Sequence, residues 1–240
     1  MEGLAFVGGV SLVLLVGLVF VFRSRRRDAT RLLFSSESDG AAGIGEHAYY
    51  PPIASIHEAG HALLYSCLDS VPHDLRVSIK RDLLSHGLTT GTLIREAVDS
   101  EWMKWEMLLC LAGREAERSI FHVTTPGCIT DFRRWQDLAR IYLSAGMGGL
   151  YFVRPSSDWE CQRNEKAIAE LLAEHEHLLQ HFFKTNKALL HELASELRQQ
   201  EVLGREVLLG YLKQVNSPND MPRPRMVVTL NNLPTCPRPA

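Results

Sequence analysis

A mainly α-helical fold with a small β-hairpin, joined to one amino-terminal transmembrane helix, is what the sequence predicts, on three observations. Apolar residues recur at helical spacing through most of the 240-residue chain. One short stretch alternates at the period of a strand. One run, residues 3–22, carries no charge and has the length of a helix crossing a hydrocarbon core. The composition, 45% hydrophobic and 22% charged, lets a globular domain of ordinary size build its core. A formal net charge of −2 gives no electrostatic case for a nucleic-acid partner. The cysteines, Cys67, Cys110, Cys128, Cys161 and Cys236, are odd in number and include no C-x-x-C, so they read as reduced thiols of a cytosol-like compartment.

Glu2 precedes the charge-free run, and Arg23, Arg25, Arg26 and Arg27 follow it. A cleavable signal peptide has the reverse order of charge. The positive-inside rule then leaves Met1 outside and the rest of the chain on the cytoplasmic side. Residues 28–48 are rich in serine and glycine and read as a flexible tether. Pro51 and Pro52 stop any preceding helix and set up a new one at Ile53.

The helix expected over 53–67 carries Ile56-His57-Glu58-Ala59-Gly60-His61-Ala62, an H-E-x-x-H pattern. His57 and His61, four positions apart, share one helical face and can grip one zinc ion. Glu58 beside them can take a proton from a zinc-bound water, which points to hydrolysis of a peptide bond. The competing reading is a helix that happens to carry two histidines. Ala59 and Gly60 are small enough for another segment to approach this helix closely.

Leu75, Val77 and Ile79 alternate with polar residues, and Thr89, Thr90, Thr92 and Ile94 follow Gly87, which predicts a hairpin. It is either plainly structural or offers a strand edge to an extended peptide. His73 and His86 are read as bystanders. A helix over 100–121 follows, with Glu115 and Glu117 as candidate third ligands. A solvated or salt-bridged helix face is the preferred reading for both. The loop from Val123 opens another helix, with Thr130 as its cap and Asp131 in its first turn. Alone, Asp131 reads as an ordinary helix-start acid.

Helices are expected over 157–184, 187–199 and 205–214. His175, His177 and His181 cluster in the first of these, and a solvated face is preferred there over a second metal site. Residues 216–240 hold more than half of the prolines and read as a disordered tail.

Taken together, the stretches resemble the peptidase domain of the FtsH family of membrane-anchored, ATP-dependent zinc metallopeptidases. The likeness is carried by His57-Glu58-Ala59-Gly60-His61-Ala62, by Ala112-Gly113-Arg114-Glu115-Ala116-Glu117, by Thr124 to Asp131 with Asp137-Leu138-Ala139-Arg140, and by Ser144-Ala145-Gly146-Met147. Glu201-Val202-Leu203-Gly204 resembles the family's link before its last helix. The resemblance implies an FtsH-like peptidase domain over 50–215, mainly helical, with a small sheet whose edge guides substrate. It implies Zn2+ held by His57, His61 and Asp131, with Glu58 as the general base. The family loop reads S-N-D where this chain has Ile129-Thr130-Asp131.

The family's ATPase module has no counterpart, since no G-x-x-x-x-G-K-[ST] occurs. The expected function is a membrane-anchored zinc metalloendopeptidase acting on unfolded or flexible polypeptides. The alternative is an inactive membrane adaptor or regulator that binds substrates or ATPase-protease partners. Expected partners are polypeptide substrates, the membrane crossed once, and either further copies of the chain or a separate ATPase. A bacterial inner membrane, with the peptidase domain cytoplasmic, is the expected location, because no transit-type amino terminus precedes the apolar run.

Overall fold

The computed structural model describes residues 50–80, 87–93 and 98–225. The charge-free run, the tether and Ile94 lie outside the described residues. Among the described residues no helix is long and apolar enough to cross a membrane.

Helix α1 (Pro51–Leu64) begins at the two prolines themselves, both in its first turn. Proline is tolerated there because those N–H groups have no intrahelical acceptor. The expected start at Ile53 is corrected by this. From Ser55 to Leu64 every residue is buried, so α1 is a central helix without a solvent face. It ends in a 3-10 turn, Tyr65–Cys67. Trp105 Nε1–H donates to the Leu64 carbonyl at 2.9 Å and satisfies a helix-end acceptor inside the core.

Strand β1 (Arg76–Ser78) pairs antiparallel with β2 (Leu88–Thr90), as the alternation predicts. It also pairs antiparallel with β3 (Val202–Gly204), giving the order β2-β1-β3. The hairpin is thus completed into a three-stranded sheet by residues more than a hundred positions downstream. Val77 stands opposite both Thr89 and Leu203. All three are buried, so one row of side chains crosses the sheet on its packed face.

Helix α2 (Ser100–Phe121) is capped by Asp99, whose carboxylate accepts from Trp102 N at 2.9 Å. It ends at His122 in the left-handed conformation. Helices α3 (Ile129–Ser144), α4 (Asp158–Thr185), α5 (Lys187–Gln200) and α6 (Arg205–Leu212) follow. Thr130 lies inside α3 and does not cap it; Cys128 precedes the helix without a side-chain cap. α1 packs on α2 and α5, and α2 packs on α3 and α4. The contact between α1 and α2 is close because Gly60 has no Cβ: one there would stand 2.6 Å from Ala116 Cβ and 2.8 Å from the Ala112 carbonyl oxygen. The largest fully buried side chains are Trp102, Trp105 and Trp135, with Tyr65, Phe182 and Phe183 around them.

The tail expectation holds no further than composition for residues 216–225. Asn216 N donates to Asn186 Oδ1 at 2.8 Å, at the junction of α4 and α5. Met221 is 3% exposed and belongs to the core. Residues 226–240 lie outside the described residues.

Candidate metal and catalytic centre

His57 and His61 leave α1 on one face and are both buried. His61 Nδ1 lies 2.9 Å from the Leu109 carbonyl oxygen on α2. His57 Nδ1 lies 2.7 Å from Glu117 Oε1, also on α2. A carbonyl and a carboxylate only accept, so both rings carry their proton on Nδ1 and donate it outward. Each is left with a lone pair on Nε2. The two Nε2 atoms stand 3.0 Å apart.

Asp131 arrives from a different helix. It sits in the first turn of α3, 5% exposed. Its Oδ2 is 3.3 Å from His57 Nε2 and 3.4 Å from His61 Nε2. Three atoms that can each offer a lone pair to a cation therefore converge. Ligand atoms placed tetrahedrally about one zinc at its usual bond lengths stand about 3.3 Å apart. The observed separations fit that figure, and two imidazoles with one carboxylate are a donor set zinc accepts. Among the described residues this is the group of histidines, cysteines and acids that could hold a metal ion.

The electrostatics of the site ask for the same positive charge. Burial works to lower the pKa of His57. Its hydrogen bonds to Asp131 and Glu117, with Glu58 close by, outweigh that and raise it well above the usual histidine value. Burial works to raise the pKa of Asp131, yet the two histidines hold it well below the usual carboxylate range.

Glu58 follows His57 directly and is 4% exposed. Burial pushes its carboxyl up, against the pull of both histidines and of a hydrogen bond. That bond is donated by Thr89 Oγ1 from β2 to Glu58 Oε2 at 2.7 Å.

Glu117 and Glu115 part company. Glu117 is 1% exposed and is no solvated acid, which corrects the sequence reading. It orients His57 from behind, and is itself held by Thr125 N at 2.9 Å and Thr125 Oγ1 at 3.2 Å. Glu115 pairs with Arg118 at 2.9 Å and with Arg114 at 3.4 Å, as a salt-bridged face would, although its side chain is buried. Gly113 lies under the metal face of α1, where any Cβ would overlap the His57 imidazole. Sequence reasoning missed Glu117 as an orienting group, together with Thr125 and the Leu109 carbonyl. The acid was visible at its position, but nothing local told a buried face from a wet one.

The histidine cluster of α4 is divided between core and surface. His175 is buried and its Nδ1 accepts from Trp135 Nε1–H at 3.1 Å. His177 and His181 are exposed. Of the cysteines, Cys67, Cys110, Cys128 and Cys161 are free thiols.

Residues 52–150 match the model of peptidase family M41. The chain is 25% identical over 198 residues to the ATP-dependent zinc metalloprotease FtsH of Acidothermus cellulolyticus, an alignment covering 73% of this chain and 28% of that protein. It is 27% identical over 176 residues to the ATP-dependent zinc metalloprotease FtsH of Thermus thermophilus, covering 64% of this chain and 28% of that protein. The ATP-dependent zinc metalloprotease FtsH 1 of Salinibacter ruber is 26% identical over 175 residues, 65% of this chain and 26% of that protein. The chain thus spans less than a third of the length of these relatives.

Proposed function

Because this chain carries an FtsH-type zinc peptidase domain, we propose that it hydrolyses peptide bonds in unfolded or flexible polypeptides. The observation that carries the proposal is the meeting of His57 Nε2, His61 Nε2 and Asp131 Oδ2 within 3.0–3.4 Å, their rings locked by Glu117 and Leu109. Zinc held there supplies Lewis acidity, which polarises a carbonyl and makes water acidic near neutral pH. Glu58, next to that cluster and shielded from bulk water, takes the proton of the attacking water. It then returns the proton to the leaving amide nitrogen. Among the described residues, the sheet order leaves β2 with β1 on one side only. Its other edge is a seat for an extended segment of substrate, bound by main-chain hydrogen bonds.

The membrane attachment is part of the same reading. The charge-free run 3–22 and the arginines behind it support a single-pass anchor with the peptidase on the cytoplasmic side. The relatives are bacterial, in keeping with a bacterial inner membrane. The substrates of this reading are polypeptides that are already flexible or that an ATPase has unfolded.

The decisive experiment compares the parent with Glu58→Gln. The variant keeps its zinc and stops cutting an unstructured peptide. A parent that binds zinc but cuts nothing returns the chain to the adaptor reading. A variant that cuts at the parent rate removes Glu58 from the chemistry.

A further inference from the structure

A glutamate acting as a base has three side-chain torsions to restrain, and neither His57 nor His61 restrains those of Glu58. Strand β2 does so from across the site. Thr89 Oγ1 donates to Glu58 Oε2 at 2.7 Å, a buried bond between residues 31 positions apart. The same hydroxyl oxygen lies 3.3 Å from the Glu58 carbonyl oxygen. The other carboxylate oxygen, Oε1, lies against Gly87, just before β2, so closely that any Cβ there would overlap it. Thr89 is itself fixed: it is 4% exposed and stands opposite Val77, in the packed row that continues to Leu203. Both acceptors of this hydroxyl belong to Glu58, the carboxylate oxygen is the nearer, and a hydrogen bond to a charged acceptor is among the stronger ones.

We propose that Thr89 is the positioning residue of the general base, and that it divides the work of the Glu58 carboxylate between its two oxygens. Oε2 is the anchored oxygen. It accepts the Thr89 hydroxyl whether Glu58 is charged or has taken a proton. Oε1 is the proton carrier, since the donor on Oε2 disfavours protonation there. Gly87 supplies the space Oε1 needs. This inference rests on the peptidase reading above, and it gives β2 a second task. The strand that seats the peptide also holds the base, so the scissile bond and the proton acceptor are registered to one element.

The test uses the full chain loaded with zinc and three variants: Thr89→Val, which keeps the branched shape without the hydroxyl, Thr89→Ala and Thr89→Ser. Zinc content and thermal midpoint are measured first, then kcat and KM on an unstructured peptide. Affinity for acetohydroxamate, a small chelating probe whose hydroxyl proton passes to a neighbouring base, is measured alongside. Thr89→Val is expected to hold zinc as the parent does and to keep KM within about twofold while kcat falls about tenfold to a hundredfold. Thr89→Ser keeps most of kcat, and acetohydroxamate binds the valine variant more weakly than the parent. Should valine not fold, the alanine and serine variants differ only in the hydroxyl and carry the same comparison. Parent kcat in the valine variant, equal losses in serine and alanine, or a rise in KM alone overturns the proposal. If the parent itself cuts nothing, the peptidase reading has failed, and the acetohydroxamate affinities still decide whether Thr89 acts on Glu58.

Discussion

A histidine with both ring nitrogens engaged has no freedom to turn, and the site depends on that for His57. Glu117 sets its ring through Nδ1, and Thr125 sets Glu117. Replacing Glu117 by Gln keeps the shape but removes the charge that strengthens Nε2 as a ligand. Zinc affinity is expected to fall about tenfold to a hundredfold with all three ligands intact, measurable by competition against a chromogenic chelator. Gly113→Ala acts on the same ring by a different route. The new methyl overlaps the imidazole, so zinc retention and thermal midpoint fall together; a variant with parent zinc content would show that the ring has room to move. The sequence made His57, Glu58 and His61 readable because their spacing is the motif. Asp131 was readable only through the family likeness, since a first-turn acid is common. Glu117 was not readable as an orienting group, because its burial depends on the loop that carries Thr125 lying over the end of α2.

The elements explain why those side chains meet at all. α1 has no solvent face, and its closest neighbour touches it across Gly60. Gly60→Ala is expected to push α2 away and to destabilise the fold by about 1–3 kcal/mol, read as a lower midpoint in urea or heat. An unchanged midpoint would mean the two helices separate without loss. The helices were legible from their apolar spacing, and their bounds differ from the expected ones by at most three residues, as helix ends do. The hairpin was legible from its alternation. β3 was not: Val202–Gly204 is three residues long, too short to carry a period, and its partner β1 lies far back in the chain. From sequence, Pro51 and Pro52 read as a stop before the helix, whereas their fixed backbone suits its first turn.

At the scale of the molecule, the ligands come from two helices, so metal and fold are linked. Removing zinc with a chelator is expected to lower the thermal midpoint, and restoring zinc above its Kd to raise it by mass action. A midpoint indifferent to zinc would argue against the assigned ligands. Acid acts through a different group. Burial, with Lys104 adding to it, pushes His175 down to about 4 from 6.5. The folded protein thus keeps His175 neutral while the unfolded chain takes a proton near 6.5. Stability from this residue is complete above that value and is lost as pH falls toward 4, by about 3 kcal/mol in all. His175→Gln should flatten that limb of a stability-against-pH curve; an unaltered limb would place the acid sensitivity elsewhere.

The pairing of β1 with β3 bears on when the proposed site can first form. Val77 has one neighbour 12 positions ahead and another, Leu203, near the far end of the described chain. The α1 helix likewise packs on α5, which ends at Gln200. A ribosome must therefore deliver almost all of the described residues before the sheet can close beside α1. Nascent chains halted before Val202 are expected to bind zinc poorly and to leave polypeptides intact. Chains released after residue 225 should do neither. On the proposed peptidase reading, assembly at the end of translation would spare the unfinished chain from cutting that began too soon.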